Sequence, residues 1–195
     1  MEPITHAEVR RRNGVVLKNA LGFYFVLGSA IAILVPEGFV DTLPTLGSLT
    51  RLFDHVIPGI PRLARLSPFP EVMRVFLIVM WILVPIAAYR VGRAWNWNPR
   101  TFELKRSDQW FIVGFLWLFA SFSFAFLFMF FDVDPISLES AGGRGNVFVR
   151  LLTQYRVSLA IFGSLWFSII ATTLGLAVRL MYLVALSTRG ARHAS

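Results

Sequence analysis

The polar residues that could do chemistry lie between the apolar segments of this chain. His55 directly follows Asp54, and Asp132 and Asp134 come just after a long apolar run. Such pairs could act as a general acid and base, or could bind a divalent cation. Pro135 follows the second pair, however, and the glycine that an EF-hand loop needs at its sixth position is missing. Acids in such positions more often end a helix and stay in water, so we expect no metal site.

Other reactive chemistries are excluded by the residue types that the apolar runs lack. The chain has no cysteine, which excludes thiolate metal sites and thiol catalysis. Its histidines, His6, His55 and His193, fall outside the runs, so a bis-histidine haem in the membrane is excluded. No acidic residue lies in the middle of a run, and Ser164 and Ser168 have no base beside them. We therefore expect no cofactor, no catalytic residue and no enzymatic activity.

Four long apolar runs must position these residues, and they define the fold. Hydrophobic residues make up 56% of the chain and charged residues only 15%, whereas about a quarter of a typical soluble domain is charged. A hydrocarbon core of about 30 Å needs about 20 residues of helix to cross it. We therefore predict an all-α, polytopic membrane helical bundle that forms a single domain over residues 1–195. Its four transmembrane helices are expected at about residues 15–36, 72–89, 110–131 and 157–178.

The distribution of basic residues predicts the orientation of the bundle. The run at 72–89 is the weakest of the four, because Arg74 and Pro85 interrupt it. If this run crosses, most of the 19 lysines and arginines lie on the side of the two termini. By the positive-inside rule, both termini are then cytoplasmic. The same asymmetry explains the net charge of +8, so we expect no nucleic-acid partner. The basic residues on the outer side are Arg51, Arg62, Arg65, Arg74, Arg144, Arg150 and Arg156.

The outer connections are expected to contain short interfacial helices. Apolar residues recur at helical spacing within Leu46–Ile57, which predicts an amphipathic helix on the outer leaflet. Prolines at positions 58, 61, 68 and 70 predict an extended, bent path back into the membrane. Apolar and polar residues also fall at helical spacing from Val147 to Arg156, so the fourth helix is predicted to project beyond the bilayer.

An aromatic ridge runs along one face of the predicted third helix. Its spacing of three or four residues keeps the rings on one slowly drifting face. Such a ridge usually faces lipid or packs inside a bundle. The alternative is a docking ridge for another membrane protein, a lipid or a quinone tail. The ridge consists of Phe111, Phe115, Phe119, Phe122, Phe126 and Phe130.

Small residues repeat along the predicted first and fourth helices. Gly28 and Ala32 form one patch, and the other consists of Ala160, Ser164, Ser168 and Thr172. Small residues let helix backbones approach closely, and hydroxyls can hydrogen-bond across the contact at roughly 0.6 kcal/mol each. The simplest expectation is that these two faces pack on each other. The alternative is that one of them recruits a partner chain.

Several basic side chains are predicted to contact lipid headgroups. They lie close to the ends of the apolar runs, where a long side chain can extend to the membrane surface at little cost. Arginines at that depth commonly bind lipid phosphates. The residues are Lys18, Arg74, Arg150, Arg156 and Arg179.

The function predicted from these features is contact rather than catalysis. We expect a non-catalytic protein of a bacterial inner membrane that acts by protein–protein contact within the bilayer. It would serve as an accessory or assembly subunit of a membrane complex, or as an immunity-type protein. One alternative is a small channel or transporter subunit that works as a homo-oligomer, with the hydroxyls of the fourth helix lining its pathway. A third is an outer-surface lipid-modifying enzyme that would use Asp54, His55 and Asp132.

Overall fold

Every regular element that the structure describes is a helix, as predicted. The structure, a computed structural model, describes residues 6–42, 44–57, 59–95, 108, 110–119 and 150–192. The last long helix begins at Arg156, passes through a π-helical turn at Leu159–Gly163 and continues as Ser164–Arg192; we call it α7 throughout. The preceding helices are α1 (His6–Leu34), α2 (Phe39–Thr42), α3 (Pro44–Val56), α4 (Gly59–Leu66), α5 (Pro70–Ala94) and α6 (Trp110–Phe119).

Three of these helices, α1, α5 and α7, are long and apolar enough to cross a membrane. Helix α5 contains the run that was weakest in the sequence, and it continues through Pro85 without ending. Of the predicted third span, the structure describes only α6. The rest of that span lies outside the described residues, as do Asp132 and Asp134. The described residues thus form an all-helical structure with three candidate membrane-spanning helices, and a fourth span stays a prediction.

Helix α1 packs antiparallel to α7. Near the start of α7, Arg156 reaches the backbone of Val35, just beyond the end of α1. Further along α7, Ser164 lies against Gly28, which comes earlier in α1. Residue numbers therefore rise along one helix as they fall along the other.

Helix α5, in contrast, packs parallel to α7. Phe76 lies against Gly163, and the carbonyl of Ala88 lies against Gly175, so residue numbers rise together along both helices. Consequently α5 and α7 both end where α1 begins. We call this end of the bundle the basic end, because it carries the arginines that begin α1 and end α5. The opposite end, which α2, α3 and α4 cover, is the capped end.

The centre of the bundle is filled by aromatic side chains and methionine. Phe167 on α7 contacts Phe76 and Trp81 of α5 edge to face, with ring centroids 6.3 and 5.6 Å apart. Met80 and the ring of Tyr24 are fully buried in the same cluster. Edge-to-face aromatic pairs add about 0.5–1.5 kcal/mol each beyond the area that they bury. The aromatic contacts hold α5 against α7, and Tyr24 of α1 completes the same cluster.

The capped end differs in part from the path that the prolines predicted. Residues 59–66 form α4 rather than an extended segment. Pro61 is the third residue of this helix, where a missing N–H breaks no intrahelical hydrogen bond. The continuous helix that the sequence predicts from Val147 into the fourth span is also interrupted. Residues 150–154 are helical, but Tyr155 has extended backbone angles and separates them from α7.

Candidate functional site

The small-residue patches of α1 and α7 lie inside the bundle. A methyl group added to Gly28 would collide with the Ser164 hydroxyl oxygen, so a small side chain of α7 lies directly on the backbone of α1 here. Ala32 and Ala160 are also buried. The chain's own helices thus cover this surface, and a partner could reach it only if α1 and α7 separated.

The hydroxyls of α7 also face inward. Ser168 donates a hydrogen bond to the carbonyl of Leu165 one turn earlier, at 2.7 Å. The buried hydroxyls of Ser164, Thr172 and Tyr24 have no hydrogen-bond partner among the described residues. These hydroxyl groups are therefore buried between the helices of a single chain.

A second close helix contact, between α5 and α7, involves residues that sequence reasoning largely missed. A methyl group on Gly92 would come within 2.8 Å of the Gly175 carbonyl oxygen, and one on Gly175 would collide with the Ala88 carbonyl. The sequence does contain the small-residue pattern, since Ala88 and Gly92 are four residues apart, as are Ala171 and Gly175. Small residues at this spacing allow close helix packing.

Helix α6 leaves most of its aromatic ridge exposed. Phe115 and Phe119 stack on each other with centroids 6.5 Å apart. Of the side chains of α6 only Val113 is buried, in a small cluster with Leu180 and Val184 near the end of α7. Phe122 and Phe126 lie outside the described residues.

Arg156 contacts three separate parts of the chain at the capped end. Its guanidinium donates one hydrogen bond to the carbonyl of Val35 at 3.0 Å and another to the Glu37 carboxylate at 3.3 Å. The same group lies over the ring of Phe69, 5.6 Å from its centroid. One side chain therefore joins the end of α1, the start of α5 and the start of α7. The sequence predicts that Arg156 contacts a lipid headgroup, and it does not predict these contacts within the chain.

Two further hydrogen bonds fasten the connections at this end. The Glu71 carboxylate accepts a hydrogen bond from the backbone N–H of Gly38 at 2.7 Å. Gly38 has a φ of 80°, a conformation that glycine adopts without steric cost. Gln154 donates to the carbonyl of Leu66 at 3.3 Å, although its side chain is exposed. The connections after α1 and before α7 are thus tied to the helices.

Asp54 pairs with a residue on α5 rather than with its neighbour His55. Its carboxylate lies 3.7 Å from the guanidinium of Arg74. Burial raises the pKa of Asp54 above its ordinary value of 3.8, and the positive charges of Arg74 and Arg65 oppose that rise only in part. His55 is exposed on another face of α3. The structure therefore does not join Asp54 and His55 into a catalytic pair.

The other predicted headgroup residues have different surroundings. Lys18 and Arg150 are exposed, and neither forms a hydrogen bond or an ion pair with another described residue. Arg179 is partly buried at the basic end, and its Nε has no partner among the described residues. In the part of the chain that the structure describes, no group of three histidine, aspartate or glutamate side chains could hold a metal ion. Comparisons with protein-family models, curated proteins and solved structures find no match for this chain.

Proposed function

We propose that this chain is a four-span protein of a bacterial inner membrane, and that it acts by contact with another membrane protein. The parallel packing of α5 and α7 supports the fourth span. Helix α5 ends at the basic end and α7 begins at the capped end, so the chain must return along the whole bundle between Ala94 and Arg156. The apolar run at 110–131 is long enough for that return, and α6, its first part, packs near the end of α7.

The orientation follows from the positive-inside rule, with both termini in the cytoplasm. The absence of cysteine makes it directly testable, because a single introduced cysteine needs no cysteine-free background. In intact cells, a membrane-impermeant maleimide should label Ser48→Cys, in α3 at the capped end. It should label Ala94→Cys, at the basic end, only after the cells are lysed. The reverse pattern, or labelling of both in intact cells, would contradict this topology.

The exposed aromatic ridge of α6 is the observation that carries the contact function. Phe111, Phe115 and Phe119 are 75%, 57% and 41% exposed, whereas the small-residue patches are already used within the chain. In a bilayer, helices associate through close packing and polar contacts, because lipid tails are as apolar as the side chains. Rings provide a large contact area with few rotamers to fix. The ridge thus offers the area that a partner helix needs.

Site-specific photo-crosslinking tests this proposal in the native membrane. A photo-reactive phenylalanine analogue replaces Phe115 on the ridge. The matched control replaces Val26 of α1. This side chain is 69% exposed and takes part in none of the helix contacts described above. The expected result is one discrete protein adduct from position 115 and only lipid adducts from position 26.

Two results would contradict the proposal. Lipid adducts alone at both positions would mean that the ridge simply faces the bilayer. Equal protein adducts at both positions would mean that crosslinking reports random collisions. A discrete adduct whose mass equals twice that of this chain would identify the partner as a second copy.

A further inference from the structure

A groove opens between α5 and α7 at the basic end of the bundle. Its volume is about 690 Å³, and its lining is mostly apolar. The groove exists because Ala88, Gly92 and Gly175 bring the two backbones together and leave no side chains to fill the space above them. Tyr89 and Tyr182 form its walls and are 67% and 55% exposed.

Two arginines line the same groove. Arg93 is exposed, and Arg179 is partly buried, with its Nε shielded from solvent. Neither guanidinium forms an ion pair with a described carboxylate. A partly buried cation that no described carboxylate neutralises is costly, so the groove is complementary to a ligand that combines an anionic group with an apolar chain.

We propose that this groove binds an anionic phospholipid, whose phosphate contacts Arg93 and Arg179 and whose acyl chain lies between α5 and α7. Basic pockets between membrane helices bind anionic headgroups in this way, and tyrosine favours the headgroup level. A flexible acyl chain can follow the shallow floor formed by Ala88 and Gly175. The site is separate from the aromatic ridge of α6, so this proposal does not depend on the contact function.

Native mass spectrometry of the delipidated full-length protein in detergent tests the site. Phosphatidylglycerol is the anionic probe, and phosphatidylcholine is its zwitterionic control. We expect saturable binding of phosphatidylglycerol at a stoichiometry of one, and binding of phosphatidylcholine at least tenfold weaker. Glycerol phosphate, which lacks acyl chains, should not compete at the same concentration, because the groove supplies part of the affinity.

Charge variants locate the headgroup. The attraction between one basic residue and an anionic lipid surface changes the affinity by about fivefold. Arg93→Gln or Arg179→Gln should therefore weaken binding by about that factor, and the double variant should weaken it by about thirtyfold. Arg90→Gln is the matched control, since Arg90 lies on another face of α5 and lines a different cavity. It should leave the affinity unchanged.

A second variant tests the groove without changing charge. Val178→Trp places a ring in the groove and should weaken phosphatidylglycerol binding at least tenfold, while Val26→Trp on the exposed face of α1 should not. This pair remains informative if the double arginine variant fails to fold. Equal binding of the two lipids, unchanged binding in both Arg179→Gln and Val178→Trp, or occupation of the groove by a second chain would each overturn the proposal.

Discussion

Replacement of Arg156 should destabilise the bundle far more than replacement of the exposed Arg150 at the same end. The side chain makes three contacts with partners that are distant in sequence: the carbonyl of Val35, the carboxylate of Glu37 and the ring of Phe69. Glutamine is too short to keep all three. Arg156→Gln therefore frees the end of α1 from the start of α7, and it leaves the Val35 carbonyl with one hydrogen bond fewer.

The size of the effect can be estimated from the separate contacts. A hydrogen bond from a charged donor contributes about 1.5–3 kcal/mol, and a cation–π contact at a partly exposed site contributes about 0.5–1 kcal/mol. The side chains of Arg156 and Glu37 are 32% and 40% exposed, so solvent screening reduces their ion pair to under about 1 kcal/mol. We expect the free energy of unfolding to fall by about 2–5 kcal/mol.

Reversible unfolding in mixed micelles, with helicity followed as denaturing detergent is added, measures this change. Arg150→Gln is the matched control. It removes the same charge six positions earlier from an exposed side chain, and should change the free energy of unfolding by less than about 0.5 kcal/mol. Glu37→Gln should cost under about 1 kcal/mol and should add little to Arg156→Gln. Equal effects of Arg156→Gln and Arg150→Gln would refute the assigned role of Arg156.

Three further predictions concern helix packing, a buried hydroxyl and pH. Gly175→Ala should destabilise by about 1–3 kcal/mol because its methyl group meets a backbone carbonyl, whereas Gly22→Ala, with nothing nearby, should not destabilise; equal effects would contradict the contact. Ser164→Ala should leave the free energy of unfolding unchanged or raise it by up to about 1 kcal/mol, since no described hydrogen bond is lost. A clear fall in that free energy would mean that the hydroxyl forms a hydrogen bond. Because the pKa of Asp54 is raised on folding, its contribution to stability is present below pH 3.8 and is lost as pH rises through the raised value. Unfolding of Asp54→Asn should lack this part of the pH dependence; identical pH profiles would contradict the shift.

Much of the helical architecture could be predicted from the sequence, because it depends on local patterns. The length and apolar character of a run determine whether a helix can cross a bilayer, and α1, α5 and α7 meet that condition. The amphipathic spacing within Leu46–Ile57 likewise corresponds to α3. The effect of the prolines is harder to predict from the sequence. Their effect depends on position within a helix, and Pro61 falls in a first turn, where it does no harm.

The contacts between distant residues could not be predicted in the same way. Arg156 and Val35 are 121 positions apart, and nothing in either local sequence indicates that they meet. The pairing depends on the register between antiparallel helices, which the packing at Gly28 and Ser164 determines. Sequence could identify the small-residue faces of α1 and α7 as packing surfaces, but not the register in which they meet. The same limit applies to Asp54, whose partner Arg74 is 20 positions away on another helix.

The two ends of α7 are held by different forces, and this difference predicts which substitutions the protein tolerates. At the capped end α7 is tied by the polar contacts of Arg156, and at the basic end by backbone contact through Gly175. Neither contact depends on hydrophobicity, since burial of apolar surface does not drive association where lipid is the alternative. Exchange of one apolar side chain for another on an exposed face, such as Val26→Leu, should therefore leave stability unchanged. The same exchange in a packed core would have the same effect on hydropathy but would disturb the packing. Gly175→Ala, which is conservative by the same scale, should be among the most damaging single changes.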